Sequence, residues 1–215
     1  MGIFNIFVKK EKAKKQLSKI SVEEQLETLS RLGISPRHNS FVEWICNDWG
    51  REEVENTPWY LILYTLGIER ELETGWESMS NDIFSFDYDC VDDENTYTRI
   101  IEKLSYFSKN DFAVENISSK VDHDTEEAMV SFVYGGNQHH WQLRYEEDCF
   151  DCSLLDKINI LIKYKSTSKL FYSCLVDKTI LVLYTSYETI EALEKLSKWP
   201  VYLKFTERLN NEIQD

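Results

Sequence analysis

A chain of 215 residues with 42% hydrophobic and 13% aromatic content carries enough apolar side chain for one large domain or two small joined ones, which excludes an acidic disordered tail. Its net charge of −14 comes from one block, Glu43 to Asp156, where 27 Asp and Glu face 7 Lys and Arg. Such a field repels nucleic acid and attracts basic proteins or cations. The longest strongly apolar run, Trp59 to Leu66, falls far short of the ~20 residues of a membrane helix, so no stable membrane insertion is expected.

The first twenty residues carry a net +5 and read as a basic arm. Met1-Gly2 resembles a myristoylation start, yet Ile6 stands where that motif takes Ser or Thr. Weak attachment to an anionic membrane, or to the protein's own acidic block, is the functional reading of the arm. Residues 21–215 are expected to form a single α+β globular domain, with a division into halves at about 21–110 and 111–215 as the finer possibility.

Ser21-Val22-Glu23-Glu24 has capping-box spacing, and Val22, Leu26, Leu29 and Leu32 recur at helical intervals until Gly33. A second helix carries Phe41, Trp44 and Ile45 and ends near Gly50. After Pro58, the aromatic content of WYLILYTLG favours a buried strand over a helix. Ile83 to Val91 reads as a strand, and Thr96 to Phe107 as a helix with Ile100, Ile101, Leu104 and Phe107 on one face. The clearest β signal follows in Glu115 to Val121, Ala128 to Tyr134 and His139 to Tyr145. The last two are joined by Gly135-Gly136-Asn137 as an antiparallel hairpin. A helix from about Cys152 to Tyr164 precedes a second hairpin, Lys169 to Val176 and Thr179 to Thr185, turning at Asp177-Lys178. Ser186 is placed to cap a last helix, Tyr187 to Lys198. Helices and hairpins clustered in this way predict an α+β fold with mainly antiparallel sheet, its hairpins at 128–145 and 169–185, and several packed helices.

Among chemical motifs, Cys149-Phe-Asp-Cys152 has the spacing of a redox couple or half a zinc site. Glu146, Glu147, Asp148 and Asp151 raise thiol pKa instead of lowering it, and no second pair completes four ligands. Five cysteines without a secretory signal fit free thiols in the cytoplasm. His139 and His140, adjacent on a strand, must face opposite sides, so only one is free to act at any site. Asp87 and Asp89 begin like a calcium loop, which then fails at Val91-Asp92. No nucleophile elbow, phosphate loop or helical zinc motif is present in the sequence, and no cofactor is expected.

Trp and acid are interleaved along the block, which suits an interface where aromatic side chains anchor and carboxylates select a basic partner. The leading expectation is therefore a non-enzymatic, cytoplasmic, acidic protein-binding module, in its most concrete form an immunity-type inhibitor of a basic toxin. The expected contact residues are Glu52, Glu53, Glu55, Trp59, Trp76, Glu77, Asp87, Asp89, Asp92 and Asp93. A metal-dependent hydrolase using Asp122, His123, Asp124 and His139 or His140, with Cys149 and Cys152 as further candidate ligands, is the first alternative. A homodimeric scaffold is the second. The choice turns on whether the fold gathers the separate acidic clusters onto one face.

Overall fold

A computed structural model describes residues 19–164, 168–176 and 178–197; the basic arm up to residue 18, Asp177 and Lys198 lie outside them. Helix α1, Val22–Arg31, begins as its capping box requires, with the Ser21 hydroxyl accepting from the Glu24 N–H at 3.2 Å. Helix α2, Phe41–Trp49, stops at Gly50, whose φ of +84° suits a residue without Cβ. A short helix absent from the expectations, α3, follows at Arg51–Asn56.

The apolar segment expected as a strand is instead helix α4, Tyr60–Gly67. Leu61, Ile62, Leu63, Thr65, Leu66 and Gly67 are all buried. A helix enclosed on nearly every side has no polar face, so hydrophobic period carried no information and aromatic content misled. Gly67 lets α4 approach the central sheet closely. A Cβ at that position would stand 3.1 Å from the Leu181 side chain and 3.3 Å from Ser85 Cβ.

A second unforeseen element is the hairpin of β1, Glu69–Leu72, and β2, Gly75–Ser78. Strand β3 occupies only Ile83–Asp87, shorter than expected, because the chain from Tyr88 leaves the sheet to cross another loop. Helix α5 spans Thr96–Phe107, the bounds expected from its period. Strands β4, Val114–Asp122, β5, Glu127–Tyr134, and β6, Asn137–Leu143, form an antiparallel sheet in that order. The β5–β6 turn is the two glycines Gly135 and Gly136, both at positive φ, with Tyr134 opposite Asn137. Helix α6, Ser153–Lys163, strands β7, Lys169–Val176, and β8, Thr179–Ser186, and helix α7, Tyr187–Ser197, complete the described chain.

Strands β3, β8 and β7 form a central antiparallel sheet in the order β3-β8-β7. Its middle strand is buried on both faces. Ile180, Val182 and Tyr184 join a core made with α5, α6 and the β4-β5-β6 sheet, while Leu181 and Leu183 join a second core with α1, α2, α4 and α7. The two-residue alternation of a strand thus ties two apolar clusters to opposite sides of one sheet. The fold is α+β with three antiparallel sheets, and among the described residues no helix is long and apolar enough to cross a membrane.

Candidate protein-binding surface

The acidic clusters meet through loops that are far apart in sequence. The Val91 N–H donates to the Asp148 carbonyl and the Phe150 N–H to the Tyr88 carbonyl, both at 2.9 Å, which joins residues 87–94 to residues 146–151. The third cluster, 122–127, arrives on the β4–β5 turn, where His123 Nδ1 lies 2.9 Å from the Tyr145 hydroxyl. Desolvation, followed by the charges of Asp148, Glu126 and Glu147, raises the Tyr145 phenol above its ordinary pKa, so carboxylates from two clusters act on one ring.

Several carboxylates in this end of the molecule hold its loops. Asp122 accepts from the Thr125 N–H at 3.1 Å and pairs with Lys120, and these interactions lower its pKa. Asp93 pairs with Arg99 and accepts from the Asn95 N–H, with the same result. Asp151 accepts from the Arg144 and Ser153 N–H groups, both at 2.9 Å, and thereby secures the start of α6. Asp89 pairs with Lys178, and Glu146 with Arg144. Asp124, Glu126, Glu147 and Asp148 have no side-chain ion pair among the described residues and remain uncompensated. Glu126 and Glu147 also sit at φ of +55° and +47°, a region few non-glycine residues adopt.

Helix α5 extends this surface toward the β1–β2 hairpin. Its N-terminal turn is tied to the acidic end through Arg99 and Asp93, and Lys103 pairs with Glu69 at 3.0 Å. On that hairpin Trp76 is 70% exposed, opposite the exposed Glu71 in the β register. The clusters at 87–94, 122–127 and 146–151 and the acids of the β1–β2 hairpin are therefore linked in one belt. No protein-family model, curated protein or solved structure matches the chain. The belt's chemistry must accordingly be read from its own residues.

Of the expected contact residues, Trp76, Asp87, Asp89, Asp92 and Asp93 are exposed or bordered by solvent along this belt, and Glu77 is half-buried beside Arg37 and His38. Trp59 and Glu55 must be corrected. Trp59 is buried in the helical core, and Glu55 is buried with Lys19 at 3.1 Å and Arg51 at 3.6 Å. Glu52 and Glu53 are exposed on α3, away from the belt in the α1–α3 region.

The candidate metal ligands do not converge. Asp122 stands opposite Glu127 while His140 stands opposite Ser131, four positions farther along β5 or about 13 Å at the usual strand rise. His139 turns inward and stacks on Phe132 at 5.3 Å, whereas His140 faces out and bonds the Ser131 hydroxyl, as their adjacent positions require. Burial, then Asp151 and other carboxylates, pushes the Cys152 thiol up to about 12; burial and Asp92 do the same to Cys90. These thiols are poor nucleophiles and poor metal ligands at neutral pH. Among the described residues no group of three His, Cys, Asp or Glu is placed to hold an ion.

Proposed function

We propose that the protein is a non-enzymatic binding module whose acidic belt docks a basic protein. Its most concrete form is an immunity-type inhibitor that covers the cationic surface of a toxin. The observation that carries this reading is the joining of residues 87–94 to residues 146–151, and of residues 122–127 to Tyr145, with Glu126, Glu147 and Asp148 left without an ion pair among the described residues. Concentrated uncompensated charge speeds encounter with an opposite partner and rejects like-charged ones. Exposed Trp76 supplies the aromatic anchor that charge alone lacks.

The test is binding of the purified chain to immobilised basic, neutral and acidic proteins across a salt series. Retention is expected on basic proteins only and should fall steeply with salt. Replacing Glu126→Gln, Glu147→Gln and Asp148→Asn together should weaken binding about tenfold at low salt, taking roughly 0.5 kcal/mol per exposed pair. Trp76→Ala should weaken it more, by about 30-fold or ~2 kcal/mol if Trp76 is a central anchor. Equal retention of all three protein classes, or affinity unchanged in the triple variant, would refute the reading.

A further inference from the structure

A shallow groove of about 450 Å³, largely open to solvent, lies between α5, at Glu102, Ser105 and Tyr106, and β4 from Val114 to Ile117. It exists because β4 bulges. Glu115 pairs with Val133 and Ser118 with Ser131, so Asn116 and Ile117 together face the single residue Phe132. A bulge of two residues against one bends its strand and re-aims side chains. Asn116 absorbs the bend at φ +53°, a conformation asparagine tolerates better than most residues.

The charged residues of the lining are all acidic. Glu102 and Glu115 both contribute to the wall, and among the described residues neither has an ion-pair partner. The cations nearest in sequence are committed elsewhere: Arg99 to Asp93, Lys103 to Glu69 and Lys120 to Asp122. Tyr106 is 59% exposed and offers a ring face, while its hydroxyl donates to Asn81 Oδ1 at 3.3 Å and so is held in place. Val114 and Ile117 add apolar wall, which suits the methylene stem of a long cationic side chain.

We infer that this groove is a socket for an arginine side chain of the docked protein, an assignment that rests on the docking role proposed above. Two carboxylates match the several N–H donors of a guanidinium, and a tyrosine face attracts its planar cation. Lysine offers a compact ammonium that uses the ring and the second carboxylate less well.

The test is a titration of the full chain with N-acetyl-arginine amide, N-acetyl-lysine amide and the neutral norleucine amide, followed by amide NMR shifts. The arginine probe should move the amides of Glu102 to Tyr106 and Val114 to Ile117, saturate at lower concentration than lysine, and be displaced by an arginine-rich peptide. Glu102→Gln with Glu115→Gln should weaken it at least tenfold while leaving the remaining spectrum dispersed, since glutamine is nearly isosteric and both sites are exposed. Binding of the neutral probe as tightly as arginine, or undiminished arginine binding in the double variant, would overturn the socket. If basic proteins bind the chain while the arginine probe does not, the socket falls and the docking role stands. If the probe binds and no basic protein does, the assignment to a docked protein falls.

Discussion

Replacing Gln25 with leucine should be among the most damaging single changes outside the apolar cores. Gln25 is fully buried on the inner face of α1, yet its side chain makes three hydrogen bonds. The amide nitrogen donates to the Ile20 carbonyl at 2.8 Å and the Val54 carbonyl at 3.1 Å, and the amide oxygen accepts from the Trp59 N–H at 2.7 Å. One side chain thus fastens the start of α1, the end of α3 and the residue before α4, which holds a φ of +75°. Leucine keeps the volume and removes all three bonds. With about 1 kcal/mol net for each, and a further ~1–3 kcal/mol for a backbone N–H left buried without a partner, the loss is roughly 4–6 kcal/mol. At ~2–4 °C per kcal/mol for a chain of this size, the melting temperature should fall by about 8–24 °C. Urea unfolding followed by tryptophan fluorescence measures the change as a lower midpoint at unchanged slope. Thr28→Ala is the control: its hydroxyl donates to the Glu24 carbonyl at 2.8 Å on the exposed side of the same helix, and its loss should cost under about 0.5 kcal/mol. A Gln25→Leu variant destabilised by less than about 1 kcal/mol would refute the clamp.

Gly67→Ala should destabilise the fold by about 1–3 kcal/mol through the close approach of α4 to Leu181 and Ser85, read as a lower denaturation midpoint; a neutral result would mean the central sheet yields there. Asp156 has its pKa raised above 3.8 by burial and then by Asp151, so the folded state holds this proton more tightly than the unfolded one. Stability from this group is present below about 3.8 and declines as pH rises through the folded value, so Asp156→Asn should raise the melting temperature at pH 7 and give no gain below the unfolded pKa. Alkylation of Cys90 and Cys152 at pH 8 should be slow in the native protein and fast in urea, because both thiols titrate at about 12 when folded; native reactivity equal to that in urea would contradict their burial. Moderate salt should raise the melting temperature of the free protein by screening its own acidic end while weakening its hold on basic proteins, two effects of opposite sign measurable in the same buffers.

Elements with one wet face were legible in the sequence. Helix α5 alternates buried Ile100, Ile101 and Leu104 with exposed Arg99 and Glu102, so its period gave both ends. Strand parity likewise put His139 and His140 on opposite faces, as the structure has them, with His139 inside and His140 outside. The enclosed helix α4 and the β1–β2 hairpin failed for opposite reasons. The first has no polar side to set a period, and the second has no apolar one, since Glu69, Glu71 and Trp76 all face water. Gln25 was hidden because a polar letter at a core position looks like solvent face until the backbone groups it satisfies are known. Glu55 was hidden in the same way by Lys19 and Arg51. Acidic clusters could be counted along the chain, but their convergence depends on Val91 meeting Asp148 and His123 meeting Tyr145, contacts that no local pattern carries.

That convergence bears on why the charge is there. Carboxylates serving solubility alone are best dispersed, since crowding them opposes the compact state through self-repulsion. Here the fold does the reverse. It brings three clusters together, uses Asp93, Asp122 and Asp151 to hold backbone N–H groups, and places Arg99, Lys120, Arg144 and Lys178 against particular acids. Of the carboxylates left without an ion pair after these pairings, Glu126, Glu147 and Asp148 lie near Tyr145, and two of those three residues stand on left-handed backbone. Like charge and unfavourable backbone in the same place both oppose folding, and the two cores on either side of the central sheet must offset them. A cationic partner would relieve the first of these terms on binding, so the feature least suited to the free chain is the one best suited to a docked one.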